Sequence, residues 1–190
     1  MCGRLNIMGD PLMQWINDYF GMSFNADTNT DLRPTQQVAT ISRMDESLSQ
    51  LDLAWGIKPA WSKKLIINAQ AETAASKKTF KNAFAMHRCL VPCTGWYEWK
   101  DEGGVRKQQY SFTHAEGHPF LMAGIWFTGD DTSQLVTLTT HPNQKCLEIH
   151  KRMPVFILPS DADTWFSSPS ELVQPLMTAI DSELIQIERC

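Results

Sequence analysis

The sequence predicts an α+β fold: one β-rich domain over residues 1–190, with a curved, barrel-like, mainly antiparallel sheet and a few peripheral helices. Three observations lead there. Nine short β-favouring runs are separated by turn signals, helical periodicity is confined to three stretches, and the strands are not regularly interleaved with helices, which argues against a doubly wound sheet. No repeat, low-complexity segment or clear linker divides the 190 residues, a length that buries a real core.

The first helix is signalled by DPLMQWINDYFG, where Asp10 is placed to cap and Pro11 suits the first turn. Leu12, Trp15, Ile16, Tyr19 and Phe20 make one apolar stripe before Gly21 stops it. QVATISR and LDLAWGI then read as strands. A second helix is expected across TAASKKTFKNAFAMH, with Phe80 and Phe84 on one face. Strands RCLVP, GWYEWK, QYSFTH, FLMAGIWF, LVTLTT and MPVFIL follow between turns. His114 and His118 have helical spacing, but Gly117 and Pro119 favour a turn there. The last helix is expected in SPSELVQPLMT, with Ser168 and Glu171 at capping-box spacing and Pro175 set to interrupt it, before the strand ELIQIER.

Hydrophobic residues make up 43% of the chain and charged residues 20%, an ordinary soluble composition. Without a run of 18 apolar residues or a charged-then-apolar leader, the chain reads as cytoplasmic, with no membrane partner. The five cysteines (Cys2, Cys89, Cys93, Cys146 and Cys190) are odd in number and irregularly spaced, which argues against a secreted disulfide framework. Cys89 and Cys93 lack the second pair of ligands that a zinc site needs, so no metal is expected.

The formal charge of -4 argues against a nucleic-acid partner, yet its distribution is uneven. From Lys58 to Arg88 there are seven basic residues and one acid, a net +6, which leaves -10 on the rest. Such a stretch is either a solvated lysine face or a local phosphate-binding strip.

Three further stretches carry chemistry. Removal of Met1 would leave Cys2 with an α-amine and a thiol on adjacent carbons, although a cysteine near a terminus is more often a small buried hydrophobe. In CTGWYEWK, Glu98 stands between Tyr97 and Trp99 with Trp96 on its own strand face; an aromatic setting would raise its pKa, and a water-exposed sheet edge would not. His150 and Arg152 precede the apolar strand MPVFIL, and Asn68 lies within the basic stretch. Alone, His150 and Asn68 say little.

Together, MCGR, WGIKPAW, NAQAET, RCLVPCTGWYEW and HKRMP, in this order, resemble the SOS-response-associated peptidase family, the abasic-site processing proteins. The resemblance runs from Cys2 to about Leu158. It implies a β-rich domain that binds single-stranded DNA containing abasic sites and forms a covalent crosslink through the mature N-terminal cysteine. It also implies autocatalytic removal of residues ahead of that cysteine, an associated lyase activity, and a role in the DNA damage response. The implied reactive residue is Cys2, supported by Asn68, Glu98 and His150. Arg4, Lys63, Gln70, Lys81 and Arg152 would contact the DNA backbone, and Trp61 would stack on a base. Gln70 departs from the arginine usual in the family, so one forked phosphate contact becomes neutral. No cofactor is implied, and the protein is expected to be a DNA-associated monomer.

The chemistry fits one residue supplying both nucleophiles. An α-amine, with a pKa of about 7.7 to 8.0, is partly neutral at physiological pH and attacks an aldehyde to give a Schiff base. The adjacent thiol then closes a five-membered thiazolidine. Two other classes remain open: an N-terminal-nucleophile cysteine amidohydrolase, and a non-enzymatic reader of single-stranded nucleic acid.

Overall fold

The structure, a computed structural model, describes residues 2–129 and 131–190. Strand β1 (Leu5–Ile7) leads into helix α1 (Gly9–Phe20), followed by β2 (Asn29–Leu32), β3 (Gln37–Met44) and β4 (Ser47–Trp55). After β5 (Asn68–Gln70) come short helices α2 (Ala71–Ala74) and α3 (Lys81–Met86). Then β6 (Arg88–Cys93), β7 (Gly95–Lys100), β8 (Gln108–His114), β9 (Phe120–Phe127) and β10 (Gln134–Thr140) follow in succession. The chain continues through α4 (Gln144–Leu147), β11 (Met153–Pro154), α5 (Ala162–Ser167), α6 (Ser170–Val173) and β12 (Ile185–Arg189). The architecture is α+β, as expected.

One sheet has the order β12-β8-β7-β1-β2 and is antiparallel throughout. The other runs β11-β10-β4-β3-β6-β9, with β9 also pairing β10 and β5 beside β10. That return from β9 to β10 makes a partial ring, not a barrel. Strand β10 is parallel to both β4 and β5, so the sheet is antiparallel only in the main.

Sequence explains the central strands. Strand β6 is buried at all six positions, and β9 at its first six, because both faces of each are covered. Pro92 is tolerated in β6 because the pairing with β3 reaches only Cys89 and Leu90. Gly124 is required by close packing: a Cβ there would lie 2.9 Å from both the Cys89 Sγ and a Leu135 methyl. The β3–β4 hairpin turns through Asp45 and Glu46, with Asp45 in the left-handed region at φ 54°.

The helices depart from expectation in detail. Helix α1 buries Leu12 and Ile16 completely, but Tyr19 is exposed and stacks on Trp15, so the apolar stripe is narrower than its letters suggest. Met8, not Asp10, is the N-cap; Asp10 falls within the first turn, where a negative charge favours the helix dipole. Gly21 ends the helix in the left-handed conformation, as expected. The second expected helix divides into α2 and α3, and Phe80 and Phe84 are both buried. Ser168 forms no capping box, because Pro169 is the N-cap of α6. Pro175 tightens the following turn into a 3-10 segment, Gln174–Leu176. Of MPVFIL, only Met153 and Pro154 pair as a strand, with a single further bridge from Phe156 to Met122.

Between the sheets, Trp96 stacks on Phe112 with ring centroids 4.6 Å apart and meets Phe156 at 5.1 Å. Each such ring contributes about 1.5–3 kcal/mol by burial. This packing fixes β7, and with it the position of Glu98 two residues along the same face.

Candidate active site

Four elements converge on the start of the chain. Cys2 is buried, with 1% of its surface exposed, three residues before β1 begins. Pairing of β1 with β7 through Leu5 and Trp96 continues in a bond from the Tyr97 N–H to the Arg4 carbonyl, bringing the Glu98 carboxyl to the same end of the sheet. Asn68, the first residue of β5, donates from Nδ2 to the Cys2 carbonyl oxygen at 2.8 Å. His150, after α4, places Nδ1 4.0 Å from the Glu98 Oε1. Cys2, Asn68, Glu98 and His150 therefore meet, although the first and the last lie 148 positions apart in the sequence.

Burial sets the electrostatics. Glu98 is 2% exposed, and loss of hydration pushes its carboxyl up to about 7. Its strand position is thus not a solvated sheet edge. The Cys2 thiol is pushed well above its ordinary value by burial first and by the neighbouring Glu98 charge second. His150 is lowered by burial, against the opposing effect of its backbone contact with Arg152. Its Nδ1 lies 3.0 Å from the Arg152 carbonyl oxygen and 3.1 Å from the Arg152 N–H, so this backbone accommodates either neutral tautomer. Near neutral pH the pocket holds an uncharged imidazole, an uncharged thiol and a carboxyl poised between its two forms.

Residues expected to contact DNA fall into two groups. Trp61, Lys63, Gln70 and Lys81 are exposed, with Trp61 at 69%. Arg4 and Arg152 are engaged within the protein. Arg4 pairs with Asp31, and its guanidinium lies 5.2 Å from the centroid of Trp99. Arg152 makes a forked pair with Glu72 at 2.9 and 2.8 Å and also donates to the Thr139 carbonyl. Burial works most strongly against the Glu72 charge, but the Arg152 hydrogen bonds, a backbone hydrogen bond and the Arg152 and His141 charges together hold the Glu72 pKa below the usual carboxylate value. The basic stretch also loses a member: Arg88 is buried and donates to the carbonyls of Phe84, Trp165, Phe166 and Ser168.

Sequence reasoning missed Thr137 and Glu72. Thr137 donates to the Asn68 Oδ1 at 2.6 Å, and its signal was the alternation of threonine with apolar residues along LVTLTT. Glu72 stood as the single acid in the basic stretch. No cluster of three or more His, Cys, Asp or Glu among the described residues has metal-binding geometry, and no described helix is long and apolar enough to cross a membrane. Removal of Met1 lies outside the described residues.

Comparison with known proteins identifies the lineage. The family described as SOS response associated peptidase (SRAP) matches residues 1–189. The abasic site processing protein YedK of Escherichia coli is 34% identical over 140 residues, which cover 71% of this chain and 63% of that protein. The abasic site processing protein YoqW of Bacillus subtilis is 28% identical over 200 residues, covering 96% of this chain and 89% of its own length. In fold, a phage-related protein of Bordetella bronchiseptica superposes with a TM-score of 0.83 at 24% identity, covering 100% of this chain and 94% of that one. A match running from the first residue to the penultimate one takes in every element that shapes the pocket, and the chain belongs to the SOS response associated peptidase family.

Proposed function

We propose that this protein recognises abasic sites in single-stranded DNA and, once Met1 is removed, forms a covalent thiazolidine crosslink through Cys2. The carrying observation is the Asn68 amide bound to the Cys2 carbonyl in a pocket shared with a carboxyl whose pKa is about 7. The names of the relatives YedK and YoqW support the substrate class.

The chemistry then runs on this chain's own residues. The Cys2 α-amine adds to the ring-opened sugar aldehyde to give a carbinolamine. Protonated Glu98 gives its proton to the departing hydroxyl, and water leaves as the iminium forms. The Cys2 thiol adds to the iminium carbon and its proton passes to the Glu98 carboxylate, so the net products are thiazolidine and one water. A carboxyl near pKa 7 serves both transfers, whereas an ordinary one would lack the proton for the first. His150, uncharged near neutral pH, assists opening of the sugar ring. Asn68 holds the Cys2 backbone so that the amine faces the aldehyde. The same pocket would cleave the peptide ahead of Cys2, and slow β-elimination from the iminium would account for lyase activity.

Trp61 and the exposed Lys63 and Lys81 are assigned to the strand, one by stacking and two by phosphate contact. Gln70 supplies a neutral contact. The test is incubation with a single-stranded oligonucleotide carrying one abasic site, followed by a denaturing gel. A heat-stable crosslink absent with undamaged DNA is expected; turnover of a small amide without DNA, or binding without a crosslink, would replace this reading.

A further inference from the structure

We infer that Thr137 is a positioning residue that sets the orientation of the Asn68 amide for the reaction, an inference that rests on the proposed function. Thr137 sits in β10, directly paired with Asn68 in β5, and is wholly buried. Its hydroxyl lies 2.6 Å from the Asn68 Oδ1 and 3.2 Å from the Ile67 carbonyl oxygen. One hydroxyl proton can serve only one acceptor fully, and the shorter contact goes to the amide.

The consequence is directional. With Oδ1 accepting from Thr137, Nδ2 must face the Cys2 carbonyl, to which it donates at 2.8 Å. A flipped amide would set Oδ1 against that carbonyl, two acceptors with no proton between them. The chain Thr137 hydroxyl, Asn68 amide, Cys2 carbonyl therefore runs in one sense and links a central strand to the residue bearing both nucleophiles. Its neighbours show that threonine is not there for packing alone. Val136 and Leu138 take the opposite face, and a buried hydroxyl is retained at a cost unless it is bonded. Thr139 repeats the pattern one pleat on, donating to the Ala69 carbonyl at 3.3 Å and so tying β5 down beside Asn68.

Thr137→Val keeps the shape and removes the donor. With the mature protein and an oligonucleotide bearing one abasic site, Val should slow crosslinking about five- to ten-fold. Affinity for undamaged single strands should not change. Thr137→Ser should restore the rate, and Val should add nothing in an Asn68→Ala background, because the two groups act as one unit. A purely structural role would instead slow both backgrounds alike. The Asn68 side-chain amide resonances in a 15N-labelled sample give a reading independent of the reaction: slow proton exchange is expected in the parent and fast exchange in the variant. Should Val fail to fold, Thr137→Cys, a weak donor of similar size, takes its place. Wild-type crosslinking together with unchanged Val rates, or equal loss in both backgrounds, overturns the inference. If the parent protein does not crosslink at all, the proposed function falls, and unaltered Asn68 amide exchange in the variant would overturn the positioning role by itself.

Discussion

His150 Nδ1 and Glu98 Oε1 stand 4.0 Å apart in a pocket where burial shifts the two groups in opposite directions. The carboxyl is raised to about 7 and the imidazole is lowered, so each is driven toward its uncharged form. Two groups that would form an ion pair in water are here a neutral base beside a carboxyl that exchanges between its two forms near neutral pH.

Glu98 should therefore cost stability at high pH. With a folded pKa near 7 against a usual 4.5, the folded state holds the extra proton between those values. Stability falls as pH rises from about 4.5 to 7 and stays reduced above, by roughly 3 kcal/mol for an isolated group. Lowering of His150 acts oppositely but only below its ordinary value of 6.5. Glu98→Gln should gain in melting temperature over the parent between pH 6.5 and 8 and lose that gain near pH 5. The same variant should slow crosslink formation or reversal while leaving DNA binding nearly intact. Equal melting temperatures across that range and unchanged rates would remove Glu98 from both arguments.

A second expectation concerns Arg152. Its forked pair with Glu72 occupies the same donors that a phosphate would use. Glu72→Gln should weaken that hold and tighten binding of undamaged single strands a few-fold. The slope of log affinity against log salt should steepen by about 0.7, one phosphate's share. Unaltered affinity and slope would make Arg152 a brace for His150 and β10, without a place in DNA binding.

Charge reversal tests the exposed lysines. Lys63 and Lys64 share the loop that carries Trp61, and Lys81 opens α3, all in water. Changing the three to Glu should lower affinity for undamaged strands and flatten the salt slope by about 2. A slope equal to the parent's would mean that these lysines are a solvated face.

Much of this site was legible because its chemistry sits in unusual local settings. Glu98 among tryptophans could be singled out by letters alone, and the alternation in GWYEWK placed it on the face of Trp96, whereas Asn68 in NAQAET stood out only through the family resemblance. What could not be read were relationships that exist only across pairing. Strands β1 and β5 have three residues each, too few for periodicity, yet β1 pairs with β7 beside Trp96 and β5 carries Asn68, the partner of Thr137. Arg88 looked like part of a phosphate strip because sequence charge says nothing of burial. MPVFIL gave a two-residue strand because the chain passes from β10 to β9 there: the Val155 N–H bonds the Leu138 carbonyl, while the Val155 carbonyl and the Ile157 N–H bond Ala123 and Leu121.

Arg88 yields a stability expectation. Its guanidinium, 7% exposed, donates to four carbonyls, three of them from α5 and the turn after it, and so pins the C-terminal helices to β6. Arg88→Met would leave those carbonyls unpaired and should destabilise by at least ~3 kcal/mol. Lys, with one point of charge and no fork, should recover only part of that. Denaturant midpoints of the two variants within experimental error of the parent would show that the carbonyls find other donors.

The last expectation separates the amine of Cys2 from its thiol. A buried thiol held well above its ordinary pKa is a poor first nucleophile, whereas a terminal amine near pKa 8 is partly neutral at physiological pH. The amine should therefore act first and the thiol second, as the ring-closing group. Keeping Met1 attached through a processing-resistant block removes that amine and leaves the thiol untouched. A thiol alone gives only a labile hemithioacetal with an aldehyde, so the stable crosslink should be lost. Cys2→Ser keeps the amine but offers a poorer ring-closing oxygen. It should give a weaker adduct that borohydride traps as a secondary amine, accompanied by strand cleavage through β-elimination. Intact-mass measurement first establishes which proteins retain Met1. If a verified Met1-retaining protein crosslinks as fast and as stably as the processed one, the α-amine is not the nucleophile, and the attacking group must be sought among the other side chains of the pocket.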